Sequence, residues 1–183
     1  MNQNNCCLLI VDMQDRILQS IPNKDYICWN TRRLIDAAKE LNIETCYTEQ
    51  SPDKLGPSNK FVSSRVQLKA FKKQTFSCIS NQELITLLKS NSKKEIILVG
   101  IETHICIQQT AIDLAILGFN IHLCVDATDS RKQLDKEVAL KKLSQIGIFI
   151  TTVEAIMFEW CRTSQRKEFK TISNLAKESD FIY

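Results

Sequence analysis

Glu95-Ile96-Ile97-Leu98-Val99-Gly100-Ile101-Glu102-Thr103-His104-Ile105-Cys106-Ile107, continuing to Leu117, is the stretch whose reading decides the fold. Ile96-Ile97-Leu98-Val99 is a short, wholly apolar run rich in β-branched residues, the pattern of a strand covered on both faces. Gly100 ends it. The apolar period then becomes helical, with Ile105, Ile112, Ala115 and Ile116 expected on one side. Cys106 falls in the first turn of that helix, where unpaired N–H groups and the positive end of the helix dipole favour a thiolate. A buried, inert cysteine at a helix start is the competing explanation.

The same strand-then-helix pattern recurs outward in both directions. Cys6-Cys7-Leu8-Leu9-Ile10-Val11 is a continuous apolar run, read as a central strand that ends at Asp12. Tyr26 to Leu41 is helical, with Ile27, Leu34, Ile35, Ala38 and Leu41 on the apolar face and Arg32, Arg33, Lys39 and Glu40 opposite. Ile43 to Tyr47 reads as a strand, and Glu49 to Ser58 as a long loop suited to lining a site. Val66 to Phe71 is a weak strand-like segment. Ser80-Asn81-Gln82-Glu83 and Ser130-Arg131-Lys132-Gln133 read as capping boxes opening helices. Ile121 to Val125, ending at Asp126, and Ile148-Phe149-Ile150 supply further strands. Thr151-Thr152-Val153-Glu154 caps another helix, and Phe169 to Ala176 completes the set. This alternation predicts a three-layer α/β/α sandwich around a mostly parallel sheet of about six strands. The strand order expected is the Rossmann-like 3-2-1-4-5-6, with functional residues beyond the carboxyl ends of the strands. Asp12, Gly100 to Cys106, and Asp126 all fall there.

At 183 residues the chain is expected to be a single domain, 1–183, whose 44% hydrophobic and 25% charged content is ordinary for a packed core. A net charge of +3, with basic residues scattered in pairs such as Lys72-Lys73, Lys93-Lys94 and Lys141-Lys142, predicts solvated surface and no nucleic-acid partner. The uncharged start is not expected to act as a signal peptide, and no apolar run approaches the ~18 residues of a span. A cytoplasmic location without membrane association is the expectation. The eight cysteines show no C-x-x-C. Cys7, Cys46 and Cys124 sit in apolar runs where cysteine acts as a small hydrophobe, so neither a disulfide framework nor a zinc site is expected. The four glycines form neither G-x-G-x-x-G nor a P-loop, which excludes a Rossmann cofactor site and a nucleotide-phosphate cradle. No cofactor is expected.

A nucleophilic cysteine needs a base. Asp12, at the end of a central strand, is one candidate, and aspartates also end strands simply as turn residues. His104 lies two residues before Cys106, a spacing that does not bring side chains face to face on a helix. His122, inside a strand, reads as a packing or edge residue. Lys73 taken alone reads as one of a solvated pair.

Three ordered pieces together resemble the isochorismatase-like cysteine hydrolase superfamily, which includes nicotinamidases and N-carbamoylsarcosine amidohydrolases. They are Leu8-Leu9-Ile10-Val11-Asp12-Met13-Gln14-Asp15, then Lys73-Gln74-Thr75-Phe76-Ser77, then Gly100-Ile101-Glu102-Thr103-His104-Ile105-Cys106-Ile107. Thr48-Glu49-Gln50 with Leu55-Gly56-Pro57, and Asp126 to Arg131, are most similar to the small isochorismatase-domain-containing proteins. The resemblance covers about Cys7 to Thr152. It implies an Asp12, Lys73, Cys106 triad, an oxyanion site made by the backbone N–H groups of Glu102 and Cys106, and a cis peptide at Ile101-Glu102.

The implied reaction is metal-independent hydrolysis of a small amide-like (C–N) or related acyl substrate through a thioester. The nicotinamidase metal region reads Glu49-Gln50-Ser51-Pro52-Asp53 here, without histidine, so no metal is expected. Cys106 argues against true isochorismatase chemistry, which uses no cysteine nucleophile. Candidate pocket residues are Gln14, Trp29, Gln50 and Phe76. A homo-oligomer is expected, with the apolar helix around Ile156, Met157, Phe158 and Trp160 as an interface or as plain core. Two other readings stand beside the hydrolase: a non-enzymatic or regulatory protein keeping the fold, and a thiol redox sensor pairing Cys106 with a second cysteine.

Overall fold

The computed structural model describes residues 1, 3–90 and 94–178. Lys93 of the expected Lys93-Lys94 pair lies outside them. The chain runs β1 (Cys6–Val11), α1 (Asp15–Leu18), α2 (Lys24–Glu40), β2 (Glu44–Gln50), α3 (Pro52–Leu55), α4 (Lys60–Ser63) and β3 (Phe71–Lys73). It continues through α5 (Gln82–Ser90), β4 (Glu95–Ile101), α6 (Gln108–Ile116), β5 (Asn120–Asp129), α7 (Gln133–Gln145), β6 (Phe149–Thr151), α8 (Val153–Cys161) and α9 (Phe169–Ala176). The six strands form one parallel sheet in the order β3-β2-β1-β4-β5-β6.

Period-two alternation in β1 builds both outer layers. Cys6, Leu8 and Ile10 pack with Leu34, Ile35 and Ala38 of α2, Met157 and Trp160 of α8, and Ile172 of α9. Cys7, Leu9 and Val11 face the other way, onto Leu84 and Leu88 of α5, Ala111 and Leu114 of α6, and Leu143 of α7. This two-sided burial is why the strand sequence is apolar at every position. Among the described residues no helix is long and apolar enough to cross a membrane.

The structure departs from the sequence reading where pairing or packing overrides local pattern. The third strand is Phe71–Lys73 rather than Val66 to Phe71, because Phe71, Lys72 and Lys73 lie in register with Thr48, Glu49 and Gln50 at an extended end of β2. That pairing also buries Lys73, so it is not a surface lysine. β5 does not end at Asp126. After a bulge it regains pairing with β4, setting Thr128 beside Gly100 and Asp129 beside Ile101.

On α6 the buried side chains are Thr110, Ala111 and Leu114, while Ile116 is 77% exposed; Ile105, Ile112 and Ala115 pack only partly. Arg33 is buried, because α9 closes over that side of α2 and takes its guanidinium on the Leu175 carbonyl at 3.0 Å. On α8, Ile156, Met157 and Trp160 are core, and of the four apolar residues named only Phe158 is exposed. Of the two expected capping boxes, the first is replaced by Asn81, whose Oδ1 accepts the Leu84 N–H at 3.0 Å. The second does not form, since Ser130 is hydrogen-bonded to His104 and α7 starts later, at Gln133. Thr152 does cap α8, accepting the Ala155 N–H at 3.3 Å.

One close approach sets the geometry at the top of the sheet. Gly100 pairs with Val11, and a Cβ placed on it would lie 2.1 Å from the Val11 carbonyl oxygen. Its φ of +115° is a second reason for glycine. The next residue on β1, Asp12, itself adopts a left-handed φ of 52°, an uncommon conformation for a non-glycine residue. Gly100→Ala is expected to destabilise the protein by about 3 kcal/mol or more, since clash and backbone strain add. Urea denaturation checks this; a loss below about 1 kcal/mol would mean that the two strands can separate here without consequence.

Candidate active site

Three strand ends converge on one buried cluster. β1 delivers Asp12, β3 delivers Lys73, and the turn after β4 delivers Cys106. The Lys73 ammonium donates to Asp12 Oδ2 at 2.6 Å, with both side chains fully buried. Charges so far from water need every valence answered. Of the other two Lys73 N–H groups, one donates to Gln50 Oε1 at 2.6 Å and one is shared between the carbonyls of Phe76 at 3.0 Å and Thr75 at 3.2 Å. The other Asp12 oxygen, Oδ1, accepts the Thr48 hydroxyl at 2.8 Å.

Cys106 is 7% exposed, and its thiol feels the charges of both Asp12 and Lys73. Position at a helix start suggests a thiolate, and the structure corrects this. Burial pushes the thiol well up, the neighbouring Asp12 charge raises it further, and Lys73 offsets only part. Beside the Asp12–Lys73 ion pair, burial thus favours the S–H form of Cys106. For Lys73, burial works against the charged form, but the Asp12 carboxylate, through its charge and its hydrogen bond, more than compensates and raises it above its ordinary value.

The Ile101–Glu102 peptide is cis. A π-type turn, Thr103–Ile107, follows, and its Ile105 and Ile107 N–H groups donate to the Glu102 carbonyl at 3.1 and 3.2 Å. The Glu102 carboxylate is buried and clamped by Arg131, through its backbone N–H at 2.9 Å and its Nε at 3.1 Å. Thr103 and Thr128 share a hydrogen bond of 2.9 Å that ties this turn to β5. His104 points away from the thiol, with Nδ1 2.9 Å from the Ser130 hydroxyl. His122 bonds Glu95 at 2.8 Å and stacks on Phe149.

The four pocket candidates fare differently. The Gln14 amide braces the loop after β2, donating to the carbonyls of Gln50 at 3.0 Å and Gly56 at 2.6 Å and accepting the Gln50 N–H at 2.8 Å. Gln50 holds Lys73. Phe76 offers its carbonyl to Lys73 and leaves its ring 52% exposed, so it alone presents a side chain for a ligand to meet. Trp29 lies elsewhere: its ring carries Arg33 at 3.6 Å and lines a separate cavity of about 430 Å³ with Tyr26, Asp126 and Glu154. Asp126, expected near the chemistry, accepts the Val153 N–H at 2.9 Å and caps α8; burial raises its pKa.

Sequence reasoning did not single out Thr48, Cys78 or Thr110 as site residues. Nothing in the local pattern marks a threonine inside a strand, and Cys78 was one of eight cysteines. Among the described residues no cluster of three or more His, Cys, Asp or Glu is placed to hold a metal ion.

Lys73→Met keeps much of the volume and leaves the Asp12 charge buried without its counter-ion. It is expected to cost about 3–5 kcal/mol in urea denaturation. Stability should also fall above about pH 9. Below the ordinary thiol and lysine values of 9.0 and 10.5, folded and unfolded chains bind these protons alike; above them only the folded state retains them, on Cys106, Cys78 and Lys73. The contribution is complete below pH 9 and is lost as pH rises through the raised values. A melting temperature that stays flat to pH 11 would contradict the buried, protonated thiols.

Residues 6–155 match the family model described as the Isochorismatase domain. Isochorismatase domain-containing protein 1 of Danio rerio is 34% identical over 174 residues, covering 95% of this chain and 60% of its own length. Isochorismatase family protein 1A of Dictyostelium discoideum is 32% identical over 184 residues, covering 97% of this chain and 89% of its own. The solved MAR1 ribonuclease of Caenorhabditis elegans superposes with a TM-score of 0.88 at 35% identity, covering 96% of this chain and 91% of that one. The chain thus spans about 60% of the length of the Danio rerio and Salmo salar domain-containing relatives. With the parallel sheet in the order β3-β2-β1-β4-β5-β6, these matches show that the chain belongs to the isochorismatase family.

Proposed function

We propose that the protein is a metal-independent cysteine hydrolase that cleaves a small amide-like or related acyl substrate through a thioester. The observation that carries this reading is the buried Asp12 carboxylate bonded to the Lys73 ammonium at 2.6 Å, with the Cys106 thiol within reach of both charges. Asp12 takes the thiol proton as sulfur attacks the carbonyl, so thiolate forms only as it is used. Lys73 stabilises the negative charge shared by the carboxylate and sulfur. The carbonyl oxygen becomes an oxyanion, received by the backbone N–H groups of Glu102 and Cys106. Asp12 returns the proton to the leaving amine. Water, deprotonated by Asp12, then cleaves the thioester and regenerates the thiol.

The ribonuclease name of the Caenorhabditis elegans relative raises RNA as a substrate. Two features favour a small molecule instead: Cys106 is only 7% exposed, and the net charge is a modest +3. Self-association is part of the proposal. The apolar side chains exposed on α6, α7 and β6, notably Ile116, Leu134, Val138 and Phe149, support it in place of α8.

The test is a screen of small amides, esters and thioesters, with an RNA arm, using wild type, Cys106→Ala and Asp12→Asn. Turnover is expected to fall by at least about 10³-fold in both variants, because each removes a group acting in the transition state. Intact-mass analysis after rapid quench should show an acyl adduct on Cys106 in wild type. Turnover that survives Cys106→Ala would sink the mechanism.

A further inference from the structure

Cys78 is buried beside the site, and the mechanism above gives it no part. Its hydrogen bonds can be assigned proton by proton. The Thr48 hydroxyl donates to Asp12 Oδ1 at 2.8 Å, so its single proton is committed. Cys78 Sγ lies 3.8 Å from Thr48 Oγ1, and in that pair the sulfur must be the donor. The same sulfur accepts from the Thr110 hydroxyl at 3.3 Å. Thr110 Oγ1 in turn accepts the backbone N–H of Cys78 at 3.1 Å. Thr48, Cys78 and Thr110 are each fully buried, so water does not compete for any link.

We propose that Thr48, Cys78 and Thr110 form a one-way hydrogen-bond relay that keeps a proton aimed at Asp12 and so positions its carboxylate to receive the proton of Cys106. The relay rests on the hydrolase reading above. The carboxylate end fixes the direction: an ionised Asp12 only accepts, so Thr48 donates to it, Cys78 to Thr48 and Thr110 to Cys78, while the backbone N–H of Cys78 holds the Thr110 oxygen in place. The middle link requires Cys78 as S–H. Burial and the Asp12 charge hold it so, raising its pKa to about 11 despite Lys73. Without the relay the Thr48 hydroxyl is free to rotate off Oδ1. A buried carboxylate that loses a donor has its charged form less stabilised and its orientation less fixed. The titratable groups bearing on Asp12 are Lys73 from β3, Cys78 after it and Cys106 after β4. The variants below keep Lys73 and Cys106. All three relay members are positioning residues, since they touch Asp12 or one another rather than the reacting atoms.

Two readouts need no substrate. The first is the pH profile of Cys106 alkylation by iodoacetamide, resolved by peptide mass spectrometry from pH 4 to 9. Thr48→Val is expected to move its acidic limb up by about one pH unit. Cys78→Ala should move it less and in the same direction, and Thr48→Ser, which restores the hydroxyl, should bring it back. A Thr48→Val limb that coincides with wild type overturns the relay. The second is the infrared S–H stretch of Cys78, identified as the band lost in Cys78→Ala. It should rise in frequency in Thr48→Val, where the S–H has lost its acceptor. An unmoved band overturns the relay even where alkylation is too slow to read. If instead turnover survives Cys106→Ala, the hydrolase reading fails while the limb and the band still report on the relay, so the two failures are distinct.

Discussion

A carboxylate and an ammonium, both out of reach of water and 2.6 Å apart, set the terms for everything around them. Isolated, either charge would be ruinous to bury; together they are tolerable only with their remaining valences filled. This explains otherwise unremarkable features. β3 is three residues long and at the sheet edge, yet it is needed because it carries Lys73 under the end of β2. Gln50 turns its amide oxygen inward to the ammonium rather than outward to solvent. The chain after Lys73 curls so that the Thr75 and Phe76 carbonyls meet the same nitrogen.

The pair is placed by backbone geometry at the neighbouring strand end. Gly100 lets β4 come close enough to β1 that no side chain fits between them. β1 then turns sharply through a left-handed Asp12, which directs the carboxylate towards Lys73 and the turn that holds Cys106. β5 bulges after Leu123 and rejoins β4 at Gly100, so Thr128 and Arg131 reach back to hold the turn through Thr103 and Glu102. Strained backbone is stable here because surrounding pairs over-determine it.

Electrostatics at the thiol follow from the same burial. A helix start and a nearby lysine are usually read as thiolate-forming. Here burial and the Asp12 charge outweigh Lys73, and the net effect is to keep sulfur protonated. Proton transfer thus belongs to the chemical step and not to the resting state, which places the demand on the orientation of Asp12.

The sequence by itself determined the layered α/β architecture, because apolar runs alternating with helix-period segments leave few other ways to bury both faces of a parallel sheet. Motif order also made Asp12, Lys73 and Cys106 legible as a set. Only the tertiary structure decided how those residues behave. The protonation of Cys106 depends on burial and on a charge from another strand, neither of which is local to its turn. Lys73 and Arg33 look like surface cations in one dimension and become buried once β2 and α9 close over them. Thr48, Cys78 and Thr110 lie on three separate elements and are joined only by packing, so no spacing in the chain announces them. Gln14 and Trp29 look like ligand-facing residues, but one is bound up in a loop and the other in a second cavity, because side-chain direction is set by neighbours that the local sequence does not contain.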